Sequence, residues 1–131
     1  MQLHHVGIAT DDLDALADLY AALLAAPVAH EERVEGTRVA FLESGDAYLE
    51  LLEPEGGDTD SDVIAAFLEE QGPGIHHLAF ETDDIETTLS YAAELGVDLV
   101  DEEPRPGAWG HDVAFLHPES TGGVLIELVE G

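Results

Sequence analysis

The strongest constraint on how this chain folds is that it repeats itself. Residues 3–14 read LHHVGIATDDLD, and residues 75–86 read IHHLAFETDDIE. His4, His5, Thr10, Asp11 and Asp12 recur as His76, His77, Thr82, Asp83 and Asp84 at an offset of 72, and most other positions exchange one apolar residue for another. The repetition continues downstream. RVAFLE (38–43) returns as DVAFLH (112–117) at an offset of 74, and YLELLEP (48–54) returns as VLIELVEG (124–131), with Glu50 matching Glu127 at an offset of 77. Ordered blocks with a slowly growing offset are what a duplication with small loop insertions leaves behind.

Both copies carry the same signals. Apolar alternation predicts strands at about 2–9 and 74–81. Thr10-Asp11-Asp12 and Thr82-Asp83-Asp84 supply the N-cap and first turn of helices at about 11–25 and 83–95, and Gly96 suits the position just past the second helix. Three short strands follow, at about 28–35, 37–44 and 47–54 in the first module and about 97–101, 111–117 and 124–129 in the second. The expected architecture is α+β, two tandem βαβββ modules in one domain: module one 1–54, a linker and extra helix 55–73, and module two 74–131. The PEGGDTDS stretch (54–61) reads as the linker, leading into a helix at about 62–71 capped by Ser61 and stopped by Gly72. DTDSD has the composition of a calcium loop but lacks that loop's later glycine and glutamate, so a capped helix start is the better reading.

Composition bounds the rest. An apolar fraction of 45% over 131 residues suffices for one core. There is no apolar run of 18 residues, no basic and apolar leader, and no cysteine, so we expect no membrane span, no signal peptide, no disulfide and no thiolate metal site, in a cytoplasmic protein. Thirty acidic residues face three arginines (Arg33, Arg38, Arg105) and no lysine, for a net charge of −27. The acids are dispersed among strongly periodic apolar positions, which argues against an acidic tail or a disordered chain. A solvated acidic surface suits molar salt, where the screening length falls to about 3 Å, and points to a salt-accumulating halophile. Such a surface disfavours nucleic acid as a partner.

Strand parity then sorts the repeated polar residues. His5, Gly7 and Ala9 share one face of the first strand, while Val6 and Ile8 share the other; His77 and Ala79 oppose Leu78 and Phe80 in the same way. The larger apolar side chains are expected to pack on the helix, and the histidine face, lined by small residues, has room. Glu50 and Glu127 have opposite parity to Leu49/Leu51 and Ile126/Leu128. A single strand histidine is usually structural and a single strand glutamate usually solvated. Their joint recurrence points instead to two histidines and two glutamates, His5, Glu50, His77 and Glu127, converging through the repeat's pseudo-twofold on a borderline divalent metal. Four protein ligands on an octahedral ion leave two adjacent positions open, as in a Lewis-acid site rather than a structural one. His4 and His76 have the opposite parity and read as structural or supporting. His30, His111 and His117 have no counterpart as ligands, although His117 is placed to line a pocket.

These residues resemble the vicinal oxygen chelate (glyoxalase/bleomycin resistance) superfamily, in which paired βαβββ modules form a shared cleft around a divalent ion. More narrowly, HVGIATDDLD, YLELLEP, FLEEQGPGIHHLAFETDDIE, LVDEEPRPGAWG and FLHPESTGGVLIEL are similar, in order and over nearly the whole chain, to the methylmalonyl-CoA epimerase family. The resemblance implies interconversion of (2R)- and (2S)-methylmalonyl-CoA by C2 proton abstraction through a metal-stabilised enolate, with cobalt(II) favoured over manganese, nickel or zinc. It implies that His5, Glu50, His77 and Glu127 are the ligands and that Glu127 is also a base. Where some members carry a second catalytic glutamate this chain has Val39; Glu50 is the first candidate for the opposite face, ahead of Glu43 or a metal-bound water, and a one-base route is open. Arg105 and Arg38 are the cations available for coenzyme A phosphates, beside an ordinary ion-pair role, and a homodimer is expected. The competing readings are a glyoxalase I-type lactoylglutathione lyase or other metal-dependent enzyme of the superfamily, and a metal-free binding module of the drug-sequestering kind.

Overall fold

Both TDD stretches start a helix, though two residues later than the spacing suggests. In the computed structural model, which describes residues 1–56 and 63–131, β1 (Gln2–Ala9) leads into α1 (Leu13–Leu23). The Asp12 N–H donates to Thr10 Oγ1 at 3.1 Å, and the Asp12 carboxylate accepts from the Ala15 N–H at 3.1 Å, so Asp12 is the N-cap and Asp11 lies outside the helix. At the far end Ala25 takes a positive φ of 52° and Pro27 follows, which stops α1 two residues short of the expected 25. The three expected strands of module one form as β2 (Val28–Val34), β3 (Thr37–Ser44) and β4 (Ala47–Pro54). Glu35 and Gly36, with φ of 47° and 84°, make the tight turn joining β2 to β3.

The extra helix is α2 (Val63–Gln71), and its expected cap Ser61, with most of the linker, lies outside the described residues. Next come β5 (Gly74–Glu81) and α3 (Ile85–Glu94), where Asp84 repeats the Asp12 cap on Thr87 at 3.2 Å. Gly96 takes φ 88°, as the expected left-handed position after the helix requires.

The expected strand at 97–101 is the one element that fails. Only an isolated bridge, Leu99 with Leu116, forms there. The Asp101 carboxylate accepts the Phe115 N–H at 2.9 Å, filling the ladder position that a strand carbonyl would occupy. The edge strand is instead a two-residue β6 (Arg105–Pro106), kept short by Pro104 and Pro106, which have no N–H to give. It is followed by β7 (Asp112–Leu116) and β8 (Ile126–Glu130), with single 3₁₀ turns at Ala108–Gly110 and Pro118–Ser120.

The described chain divides into two compact units, His5–His76 and Met1–His4 with His77–Gly131. Within the first, the strand order is β2-β3-β4-β1, with β1 parallel to β4 and the other pairs antiparallel. Within the second, the order β5-β8-β7-β6 repeats this, with β5 parallel to β8. One face of each sheet packs on its helix. Leu13 and Ala17 of α1 meet Ala40, Leu42 and Leu51, with Ile8 alongside; Ile85, Leu89 and Ala92 of α3 meet Ala114, Leu116 and Leu128. Alternation then commits the other face, with its histidines and glutamates, away from the helices. Among the described residues no helix is long and apolar enough to cross a membrane.

Candidate metal and active site

The non-helical face of each unit carries the same constellation, built by the same register. In the first unit Gly7 of β1 lies opposite Glu50 of β4, so His5, two residues earlier on the same face, reaches the carboxylate diagonally: Nε2 to Oε1 is 3.3 Å. In the second, Ala79 of β5 lies opposite Glu127 of β8, and His77 Nε2 stands 3.0 Å from Glu127 Oε1. The small residue under each glutamate is what lets the imidazole lean across. A phenylalanine closes the other side. Phe41 and Phe115 are the cross-strand partners of Glu50 and Glu127, and their rings meet the His5 and His77 rings edge-on at 5.5 and 5.9 Å.

All four polar residues are buried, His5, Glu50 and His77 at 3–5% exposure and Glu127 at 7%. Burying a carboxylate beside apolar walls is costly unless a cation or strong donor accompanies it. The pairs suit a divalent ion as well as a proton. Two donors at right angles, each about 2.1 Å from an ion, stand about 3 Å apart, and imidazole with carboxylate is the donor set of a borderline metal.

The repeat also explains how this face is held in register with the helices. Glu53 Oε1 accepts the Leu13 N–H and Glu130 Oε1 accepts the Ile85 N–H, both at 2.6 Å. Each glutamate is three residues past a candidate ligand and ties that strand to the first turn of its helix. These anchors and the two phenylalanine walls are missing from the sequence reading, yet all four lie inside the repeated blocks. Their recurrence at offsets of 74 and 77 was the available signal.

The remaining candidates separate by face. Arg105 lies over the Phe115 ring, 5.3 Å from its centroid, and its Nε donates to Asp101 at 3.1 Å, so it belongs to the wall of the His77–Glu127 pair. Arg38 is turned to the helical face, bonded to Asp14 at 3.0 and 3.2 Å; that pairing holds the Asp14 carboxyl below, and the Arg38 guanidinium above, its ordinary range. Arg33 pairs with Glu55. His117 is exposed and opens the 118–120 turn through its carbonyl, which accepts from Ser120 at 3.0 Å. Val39 is buried at 4%, and Glu43 is exposed. His4 meets His111 edge-on at 5.1 Å and His76 meets Phe67 of α2 at 5.1 Å, which suits the supporting roles expected of them.

Comparison with known proteins identifies the family. Residues 4–115 match the model of the glyoxalase/bleomycin resistance protein/dioxygenase superfamily. The chain is 38% identical over 131 residues to the ethylmalonyl-CoA/methylmalonyl-CoA epimerase of Cereibacter sphaeroides, covering 97% of this chain and 96% of the relative. It belongs to the methylmalonyl-CoA epimerase family of this superfamily. Among solved structures, methylmalonyl-CoA epimerase from Mycobacterium tuberculosis superposes with a TM-score of 0.90 at 40% identity, over 98% of this chain and 87% of that one. A Streptomyces coelicolor epimerase variant in complex with 2-nitronate-propionyl-CoA gives a TM-score of 0.90 at 37% identity, over 100% and 94%. The family's fold is thus the one described above, paired βαβββ modules of mixed α+β structure.

Proposed function

We propose that this chain interconverts the 2R and 2S epimers of methylmalonyl-CoA, with a divalent ion held by His5, Glu50, His77 and Glu127. The observation that carries the reading is the duplicated buried pair, an imidazole nitrogen 3.3 and 3.0 Å from a carboxylate oxygen in each unit, within a chain of the epimerase family. The ion's contribution when bound is Lewis-acid stabilisation of the negative charge that develops on the thioester oxygen as C2 loses its proton. Cobalt(II) is the metal we favour; manganese, nickel and zinc accept the same donors.

The chain's own groups move the proton. Glu127, ionised, takes it from one face of C2, and Glu50 of the other module, in its carboxylic acid form, returns one to the opposite face, so that the two groups end each turnover with their protonation states exchanged. Val39 offers no proton, which leaves Glu50 as the nearest buried acid on its sheet face. The nitronate bound by the Streptomyces relative favours this chemistry, because a nitronate is planar at C2 and carries negative charge on oxygen, as an enolate does. Arg105 serves the coenzyme A phosphates and His117 the rim of the pocket. The working assembly is a homodimer, in the cytoplasm of a halophile, where molar salt screens the charge of −27.

The test is proton NMR of methylmalonyl-CoA in molar-salt D₂O, with and without a chelator. Rapid loss of the C2 proton that the chelator stops is the expected result. Absence of exchange in metal-loaded protein would sink the epimerase reading and direct attention to glutathione hemithioacetals.

A further inference from the structure

The outer face of α1 carries apolar side chains in a chain whose surface is otherwise acidic. Charged residues make up 25% of the sequence, yet none falls between Leu19 and His30, the longest uncharged stretch in the chain. The inner stripe of α1, with Leu13, Leu16, Ala17 and Tyr20, packs on the first sheet. A second stripe, Ala15, Leu19, Ala22 and Leu23, recurs at i, i+4, i+7 and i+8 and points away from that sheet. All four residues are exposed, Leu19 at 54% and Leu23 at 69%, and Leu24 and Val28 continue the exposed apolar surface past the helix end. The charges on α1 are Asp14 and Asp18, along one edge of this stripe, and Arg38 pairs with Asp14.

The duplicated module does not need the outer stripe in order to fold. At the offset of 72, the corresponding positions of α3 are Thr87, Tyr91, Glu94 and Leu95, and the Thr87 hydroxyl is engaged by Asp84. The inward residues agree between the helices, Leu13 and Ala17 with Ile85 and Leu89, whereas the outward ones do not. An apolar patch that the fold leaves uncovered marks a contact with another molecule.

Charge and shape favour a second copy as that molecule. Two chains that each carry −27 repel one another unless they meet where neither presents much charge, and the stretch from Leu19 to His30 is such a place. A cationic partner would be drawn to the acids elsewhere. The stripe also complements itself. In an antiparallel pair about a twofold at Leu19, each Leu23 lies opposite the partner's Ala15, a large side chain over a small one, and the two Leu19 side chains meet at the axis.

We propose that α1 is the dimer interface of this protein, two copies packing their Ala15–Leu19–Ala22–Leu23 stripes antiparallel. This rests on the homodimer reading above and names its face. The contact lies on the helical side of the first sheet, opposite to the face of His5 and Glu50, so association leaves that face open to substrate.

Sedimentation in molar KCl is the test. The parent sediments as a dimer. Leu19→Gln combined with Leu23→Gln raises the dissociation constant roughly 10²-fold or more, because four leucines lose their cover across the twofold. Both positions are exposed in the single chain, so circular dichroism of this variant shows the parent's helix content. Tyr91→Gln combined with Leu95→Gln, the matching pair on α3, leaves the dimer intact. Ala15→Leu separates a fitted contact from general stickiness: it adds apolar surface but crowds the partner's Leu23, and weakens the dimer about tenfold. A dimer that survives the Leu19 and Leu23 changes, or that Ala15→Leu strengthens, overturns the assignment of the face and leaves the homodimer reading intact. A monomeric parent overturns both and leaves the stripe to a partner other than this chain.

Discussion

The two modules agree where a side chain touches the candidate site or a helix end, and differ where the chain forms a sheet edge. Each has a histidine two residues before a small residue, a glutamate opposite that small residue, and a phenylalanine opposite the glutamate. Each ties its helix start to a glutamate three residues further on. The edges share none of this. Module one ends in the seven-residue β2, and module two in the two-residue β6 with Asp101 bonding Phe115 in place of a strand. Positions that set distances between reacting groups tolerate little drift, whereas an edge strand has only one neighbour to satisfy and can be replaced by any segment that bonds it. The edges are therefore where the walls differ, with Arg105 on Phe115 in one module and His30 tilted over Phe41 in the other.

The largest expected effect tests whether the two glutamates, alike in geometry, are also alike in chemistry. Glu127→Gln and Glu50→Gln each lower epimerisation by roughly 10²- to 10⁴-fold, the usual worth of a positioned proton-transfer group. They differ in which epimer suffers: each variant loses C2 hydrogen exchange with D₂O from one epimer and keeps it from the other. If Glu127→Gln stops exchange from both epimers and Glu50→Gln from neither, a single base serves both faces, and the modules are equal as ligands only.

The next effect is on stability. Phe41 is 1% exposed in the first unit, and Phe115 is half-buried beneath Arg105. Phe41→Ala should cost about 3–5 kcal/mol in urea unfolding at molar salt, the usual range for a buried phenylalanine. Phe115→Ala should cost clearly less while raising KM more, because it removes the surface on which Arg105 rests. Equal costs would mean that the two walls are interchangeable parts of the core.

How much of this was legible in sequence follows from the same contrast. Four strands inside the repeated blocks, β1, β3, β4 and β5, match their expected bounds, while β7 and β8 differ from theirs by one or two residues at each end. Parity and recurrence agreed on His5, Glu50, His77 and Glu127, and the structure stands each histidine beside the glutamate of its own module. Helix starts were misplaced because TDD contains two acids and only the second has its carboxylate in reach of an amide three residues on. The module-two edge was misread because GVDLV alternates like a strand, while the decisive bond runs from a backbone N–H to the Asp101 side chain. No periodicity encodes such a bond. Arg38 was unresolvable for a related reason: its face became clear only once Asp14 on α1 came into reach.

A smaller effect concerns the helix anchors. Glu53→Gln and Glu130→Gln each replace a carboxylate acceptor at a helix start with a neutral one, which should cost about 1 kcal/mol. Arg38 lies 4.0 Å from Glu53 and gives that carboxylate a second partner, so the Glu53 substitution should respond more to added salt.

The smallest effect separates the two caps. Asp12 receives the Ala15 N–H, whereas Asp84 receives both the N–H and the hydroxyl of Thr87, at 3.2 and 2.9 Å. The backbone N–H first, then the hydroxyl, holds the Asp84 carboxyl below its ordinary value of 3.8. A carboxyl whose pKa is lowered on folding stabilises the fold above its unfolded pKa, and that stabilisation is lost as pH falls through the folded value. Asp84→Ala should therefore lower Tm by a few degrees at neutral pH, with the gap to the parent closing as the pH is taken below 3.8. Thr87→Ala, which leaves the N–H and removes the hydroxyl, should reduce module two's cap to the kind found in module one. Its Tm loss should then be a fraction of the Asp84→Ala loss, and it should likewise disappear as the pH falls through the parent's folded Asp84 value. A gap that stayed constant from pH 7 to below 3.8 would show that the cap's effect does not run through the charge, and that Thr82 and the turn before the helix hold α3 in place without it.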